Sequence, residues 1–248
     1  METMTRIAGI NALNGRVQEF VGWGARAEDA TSVAARLAAT IVAVERIDGS
    51  SPASWVDAKS RLPLDQASLT EYVSDEVSRD ESGAKTPAFG YSPRVYRPAE
   101  SGLPTLEVKV TAGSGHARKA GIYVNSVFLS FLGDRQIALD YFSERGAELL
   151  HALVEAWQPD FGHAGAVPQM LATAPQGFGL PGSSAITWLS AQFVVPREVP
   201  GVEVREFAGG HTMYLGSADA ADSSVEPAVE AHRYLVDHGL SPAAAVQP

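Results

Sequence analysis

Hydrophobic positions first recur at helical spacing after Asp29, where Val33, Leu37, Ile41 and Val44 fall on one face among alanines. Glu28 and Asp29 precede this stripe and Arg46 closes it, the order a helix macrodipole favours. The spacing predicts a helix from about Glu28 to Ile47. Asp48-Gly49-Ser50-Ser51-Pro52 breaks it, and Trp55 just beyond is expected to fold back onto the apolar stripe. Asp65 is placed to cap a second helix whose apolar side carries Leu69, Tyr72, Val73 and Val77. From Phe89 the period becomes two: Leu106, Val108 and Val110 alternate with Glu107 and Lys109, and Gly113-Ser114-Gly115 turns the chain towards Ile122, Val124, Val127, Phe128 and Leu129. Strands are predicted near 89–96, 104–112 and 121–132. Helical spacing returns from Asp140, with Ala147, Leu150, Val154 and Trp157 in a stripe that Pro159 ends.

Phe161 to Pro196 carries no Asp, Glu, Lys or Arg, but Pro168, Pro175 and Pro181 and its many glycines argue against a membrane helix. This stretch reads as a buried strand, a flexible loop near 173–184 and a short element around Trp188. Ile186 to Val195 fits helix or strand. Val202 to Phe207 and Thr212 to Leu215 read as two strands joined through Gly209-Gly210 in a hairpin. Ser224 and Pro227 suit the start of a final helix that Gly239 stops. Blocks of strands between blocks of helices predict an α+β fold, a mainly antiparallel or mixed sheet with helices packed on it. No internal repeat is found. The expected organisation is an N-terminal extension over 1–28, a single α+β domain over 29–240 and a frayed tail over 241–248.

Composition narrows the function classes. With 248 residues, 45% hydrophobic and 19% charged, the chain can bury a core without staples. The absence of cysteine excludes thiol catalysis, cysteine-ligated zinc, iron–sulfur clusters and disulfides. A formal charge of −10 has the wrong sign for direct binding to nucleic acid or an anionic membrane, and favours a basic partner. The N-terminus shows no secretory pattern and no stretch is long enough to span a bilayer, so a cytoplasmic protein is expected.

Candidate chemistry is sparse. Gly177, Gly179 and Gly182 form a G-x-G-x-x-G, but Pro175 and Pro181 crowd it and the strand and helix that would frame a dinucleotide site are missing. Glu148 and His151 form an E-x-x-H with Glu155 one turn on, yet a di-metal site needs a second such pair. His232 and His238 are expected at the surface. Gly182-Ser183-Ser184 lacks the G-x-S-x-G of a nucleophile elbow, and no phosphate-binding loop occurs. No catalytic residue, metal site or cofactor is predicted. Trp55, Trp157 and Trp188 read as core anchors.

Charge is concentrated instead. Between Asp65 and Glu81 lie Asp65, Glu71, Asp75, Glu76, Asp80 and Glu81, six acids against Arg79 alone, a net of −5. One reading is a solvated face that keeps the protein soluble; the other is a docking face for a basic protein.

An ordered set of residues carries a resemblance. Ala34-Ala35-Arg36-Leu37, then Ile47-Asp48 and Trp55, Asn125-Ser126-Val127, Leu149-Leu150, Ala156-Trp157-Gln158-Pro159-Asp160-Phe161-Gly162, Trp188-Leu189-Ser190, Pro200-Gly201-Val202-Glu203-Val204 and Gly209-Gly210-His211-Thr212 follow one another in the chain. Over roughly Asp29 to Leu240 this set resembles the immunity protein 52 family of bacterial polymorphic toxin systems. The resemblance implies a non-enzymatic antitoxin that binds and neutralises a cognate toxin, a basic nuclease, by blocking its active site or substrate entrance. Two other classes stay open on the residues alone: a small-molecule enzyme with a cleft around Glu148 and His151, or a non-catalytic adaptor subunit.

Overall fold

A computed structural model describes residues 17–49, 55–57, 60–116, 124–166, 169, 173, 183–196, 201–215 and 226–242. Four α-helices are described: α1 (Ala30–Asp48), α2 (Gln66–Asp75), α3 (Arg135–Trp157) and α4 (Glu226–Asp237). The strands are β1 (Val17–Trp23), β2 (Arg94–Arg97), β3 (Thr105–Thr111), β4 (Asn125–Leu132), β5 (Phe161–Ala166), β6 (Ile186–Leu189), β7 (Phe193–Val194), β8 (Val202–Phe207), β9 (Gly210–Leu215) and β10 (Ser241–Pro242). Eight of them form one antiparallel sheet in the order β2-β3-β4-β1-β5-β6-β9-β8, while β7 pairs with β10. The expected α+β class, with helices packed on an antiparallel sheet, is the fold observed.

The main correction is at the N-terminus. The stretch expected to be an extension over 1–28 contains β1, a central strand whose Gln18 to Trp23 pair with β4 and whose Val17 to Gly22 pair with β5. Its core-facing positions are Val17, Glu19, Val21 and Trp23, so a carboxylate interrupts the apolar alternation that would have marked it as a strand. Ser241 and Pro242, assigned to a frayed tail over 241–248, pair with Val194 and Phe193, and the rest of that tail lies outside the described residues.

Helix boundaries follow local chemistry. Asp29 caps α1 by accepting from the Ser32 N–H at 2.8 Å, and Gly49 ends it in the left-handed conformation. Asp65 caps α2 as predicted, accepting from Ser68 N–H at 3.0 Å. The third helix starts at Arg135 rather than near Asp140, because Asp134 accepts from the N–H groups of Gln136 and Ile137. The strand expected near 89–96 is shorter: Phe89 ends the 3-10 turn Pro87–Phe89, and β2 begins at Arg94. Ile186–Leu189 and Phe193–Val194 are two strands, which settles that interval against a helix. The proposed cap at Ser224 and the glycine motif at 177–182 lie outside the described residues.

The sheet has two covered faces. On one, α1 and α3 bury Leu37, Ile41, Leu150 and Val154 against Val21, Val108, Leu129 and Ile186, with α2 packed on α1. Trp55, Trp157 and Trp188 all lie in this core as predicted, joined by Trp23, which stacks on Trp157 with ring centres 5.6 Å apart. On the other, Leu235 of α4 joins Phe161, Leu189, Phe193, Met213 and Leu240.

Two ionisable sites sit inside the first core. At the end of α1, the Asp48 carboxylate, with a fully buried side chain, forms an ion pair with the fully buried Arg97 of β2 and accepts a hydrogen bond from the Tyr141 hydroxyl of α3. Arg97 also donates to the Pro104 carbonyl at 3.0 Å. Glu19 has no such company: it is fully buried, neither carboxyl oxygen has a hydrogen-bond partner among the described residues, and burial raises its pKa well above the ordinary value.

Two stability predictions follow from this contrast. Replacing Arg97 by Leu strands the Asp48 charge and should cost about 3–5 kcal/mol in denaturant unfolding. Replacing Glu19 by Met should stabilise the fold by about 1–3 kcal/mol at pH 7. A raised folded-state pKa means that Glu19 is tolerated best below its unfolded value near 4.3 and becomes a liability as pH rises, so the gain from Glu19→Met must shrink at pH 4.5. An equal gain at both pH values would show that this carboxyl is paired.

Candidate functional cleft

The C-terminus of α3, the end of β6 and the turn between β8 and β9 meet around a cleft of about 640 Å³. Val154, Glu155, Gln158 and Pro159 form one wall, Trp188, Ser190, Ala191 and Gln192 a second, and Ala208 and Gly209 a third. Five of the lining residues, Gln158, Pro159, Trp188, Ser190 and Gly209, belong to the ordered set noted in the sequence.

Each wall is fixed by its own local chemistry. The α3 backbone stops at Trp157, and Gln158 takes a left-handed conformation, φ 47°, before Pro159 prevents continuation. The freed carbonyls are satisfied by two arginines: Arg36 donates to Ala156 at 2.7 Å, and Arg26 donates to Trp157 at 2.8 Å and to Gln158 at 3.2 Å. Glu28, almost buried, holds both arginines at 3.1 and 2.7 Å. Asp160 then fastens the second wall. Its carboxylate accepts from the Gly24 N–H at 2.8 Å and from the Gln192 amide at 2.6 Å, while its backbone carbonyl accepts from the Ser190 N–H at 3.0 Å. On the third wall the Trp188 indole donates to the Phe207 carbonyl at 3.1 Å, and a Cβ at Gly210 would lie 2.2 Å from the Leu189 carbonyl oxygen. Only glycine lets β9 approach β6 there.

Among the described residues, Gln158 and Ala208 are the non-glycine positions with positive φ, and both line this cleft. Such conformations persist only where the surroundings enforce them and cluster at functional sites. The cleft offers a carboxylate, two primary amides and a hydroxyl beside the Trp188 and Pro159 surfaces. It is chemically suited to grip a polar side chain by hydrogen bonds. The pattern residues at 158, 188, 190 and 209 were legible as a motif, but not as walls of one site, because three distant segments supply them.

The predicted candidates are placed elsewhere. Asp65 caps α2; Glu71, Asp75 and Glu76 are exposed on that helix or at its end. Asp80 accepts from the N–H groups of Ser82 and Ala84 in the following loop, beside exposed Glu81. Asp75 meets Lys85 at 3.3 Å, and Arg79 donates to the Gly83 carbonyl. The six acids lie along α2, at its two ends and in the following loop, well apart in sequence from the cleft. Glu148 is exposed, and neither it nor His151 lines the cleft; His151 stacks on Phe207 with ring centres 3.8 Å apart and shares a 3.0 Å hydrogen bond with the Thr212 hydroxyl. No group of three metal-ligating side chains occurs among the described residues.

His238 is exposed as expected, but His232 is not: α4 carries it half-buried to the sheet, where Nδ1 lies 3.0 Å from the hydroxyl of Ser183. Ser183 is only 1% exposed. His163 of β5, also buried, completes a cluster with no sequence signal beyond its own presence. Burial lowers the pKa of His163 to about 3, with a further push from His232, and lowers His151 to about 4 with help from Arg205. Burial lowers His232 too.

Comparison with known proteins gives a fold relative. No family profile matches the chain, and no curated protein does. Among solved structures, the Pseudomonas aeruginosa T6SS protein PA0821 is similar at a TM-score of 0.50 and 14% identity, over 90% of this chain and 76% of that one. This likeness establishes a shared architecture. No described helix is long and apolar enough to cross a membrane.

The buried histidines set a pH dependence. Their folded-state pKa values lie below the ordinary value near 6.5, so the unfolded chain binds more protons between about pH 6.5 and 4. Their contribution is present above pH 6.5 and is lost as pH falls through that window. Thermal melts of wild type and His151→Gln at pH 7, 6 and 5 should show the wild type losing more stability than the variant. Parallel melting curves for the two proteins would place His151 in solvent.

Proposed function

We propose that this chain is an immunity protein that binds a cognate bacterial toxin in the producing cell's cytoplasm and blocks it stoichiometrically, without chemistry or cofactor of its own. The toxin envisaged is a basic nuclease. The resemblance to the immunity protein 52 family supports this reading, and the shared architecture with a T6SS protein is compatible with a toxin-system role.

One observation carries it: the acidic segment is free to meet a partner. Glu71, Asp75, Glu76, Asp80 and Glu81 are all exposed, and Lys85 neutralises one of them across an exposed ion pair. Beside them the chain doubles back, with Arg79 bridged to Lys85 and Val77 to Tyr91, which brings Phe89 next to Ser78. Phe89 is 46% exposed and rests on the His116 ring. An apolar anchor within a negative field fits a basic protein surface, since charge speeds encounter and a seated aromatic slows dissociation. The immunity-like residues themselves serve the scaffold. Asp48 pairs with Arg97, the Trp157 indole donates to Thr40 at 2.8 Å, and Asp160 joins Gly24 to Gln192. Such residues specify a shape for recognition.

Co-expression with the product of the neighbouring toxin gene tests the function: survival of a susceptible host together with a co-purifying complex is expected. A verified toxin that neither binds nor is neutralised would reject the pairing. The interface is tested separately with Glu71→Lys combined with Glu76→Lys, two exposed positions outside the capping interactions of Asp65. Association at low salt should slow at least tenfold, and the dependence of affinity on salt should flatten. Unchanged rates and salt slope would move the interface off this segment.

A further inference from the structure

β8 ends the eight-stranded sheet, and among the described residues it pairs on one side only, with β9. Two independent features show which of its backbone groups face outward. The Ala208-Gly209 turn has φ values of 49° and 73°, the hand of a two-residue type I′ hairpin, which closes on a hydrogen-bonded pair, here Phe207 and Gly210. At the other end of β9, the Leu215 N–H donates to the Ala185 carbonyl at 2.9 Å, so Leu215 and, by alternation, Met213 and His211 face β6. Tyr214, Thr212 and Gly210 consequently bond to β8, where their register partners are Glu203, Arg205 and Phe207. The N–H and C=O groups of Val202, Val204 and Glu206 point away from the sheet.

Edge strands are commonly blunted by a proline, a bulge or charged side chains. This edge has neither proline nor bulge against β9, and its charges carry both signs. Glu203 and Arg205 project from the same face, both about half exposed and joined by a 2.7 Å ion pair within their own strand. Glu206 is exposed, while Val202 and Val204 are half-buried against the second core.

We propose that β8 pairs with β8 of a second copy of this chain, antiparallel about a two-fold axis at Val204, so that two sheets become one. Charge selects that register. With Val204 opposite Val204, Glu203 of each copy faces Arg205 of the other, twice over by symmetry. These cross-strand pairs occupy the non-hydrogen-bonded sites, where opposed side chains come closest, while the outward groups of Val202, Val204 and Glu206 meet one another. Moving the axis to Glu203 or to Arg205 would oppose like charges. A one-residue slip would set outward backbone groups against groups already bonded to β9.

The full chain should sediment as a concentration-dependent dimer in analytical ultracentrifugation over the micromolar range. Arg205→Glu places a carboxylate opposite Glu203 of the second copy and should weaken the dimer at least tenfold, whereas Glu203→Arg combined with Arg205→Glu restores the complementarity and the dimer. Val204→Pro removes an N–H that β9 does not use and should give a monomer with unchanged circular dichroism. If Val204→Pro fails to fold, the single and double charge variants decide alone. A wild-type chain that stays monomeric up to several hundred micromolar overturns the proposal, as does a dimer that Arg205→Glu leaves unchanged. The toxin is absent from all of these measurements, so their outcome is independent of the immunity reading.

Discussion

The fold depends on a charge pair that water does not reach. Asp48 at the end of α1, Arg97 on β2 and Tyr141 on α3 meet in the core, and between them tie the first helix, the edge of the sheet and the longest helix at one point. A buried pair of this kind contributes little net stability compared with apolar packing, because both charges have left water. What it imposes is geometry. Any arrangement that slides α1 against β2 leaves one charge unpaired, so the position of α1 over the sheet is narrowly defined. At the other end of α3, Glu28 does the complementary work by holding Arg26 and Arg36 on the last carbonyls of the helix.

With both ends of α3 fixed, the cleft at its C-terminus acquires rigid walls. Asp160 reaches from the chain after α3 to Gly24 after β1 and to Gln192 after β6, so three segments far apart in sequence are bound through one carboxylate. The left-handed Gln158 and Ala208 are held between these restraints. The acidic surface of α2 and its following loop is built differently. There the exposed side chains interact mainly with their own loop, as in the Asp80 turn, and the region takes its character from charge more than from shape.

Most helices were legible because their apolar stripes are uninterrupted and their caps are specific, as Asp29 with Gly49 and Asp65 show. The start of α3 was missed because its first turn carries Gln136 and an exposed Ile137, which blur the stripe. β1 was missed for a different reason: Glu19 occupies a core position, and no rule of alternation anticipates an unpaired carboxyl in the centre of a sheet. The acidic segment was visible as composition, and the structure places Glu71, Asp75, Glu76, Asp80 and Glu81 at exposed positions. The cleft was not visible, since its walls become neighbours only through the β1–β5 and β6–β9 pairings.

The place of β1 also governs the order in which the molecule can be made. Val17 to Trp23 leave the ribosome well before their two sheet neighbours, residues 125–130 and 161–166. Closing loops of that length costs entropy before any contact repays it, which slows the assembly of such topologies. During synthesis Trp23 and Val21 must therefore wait without their core, and the sheet cannot close around this central strand until residues 161–166 have been delivered.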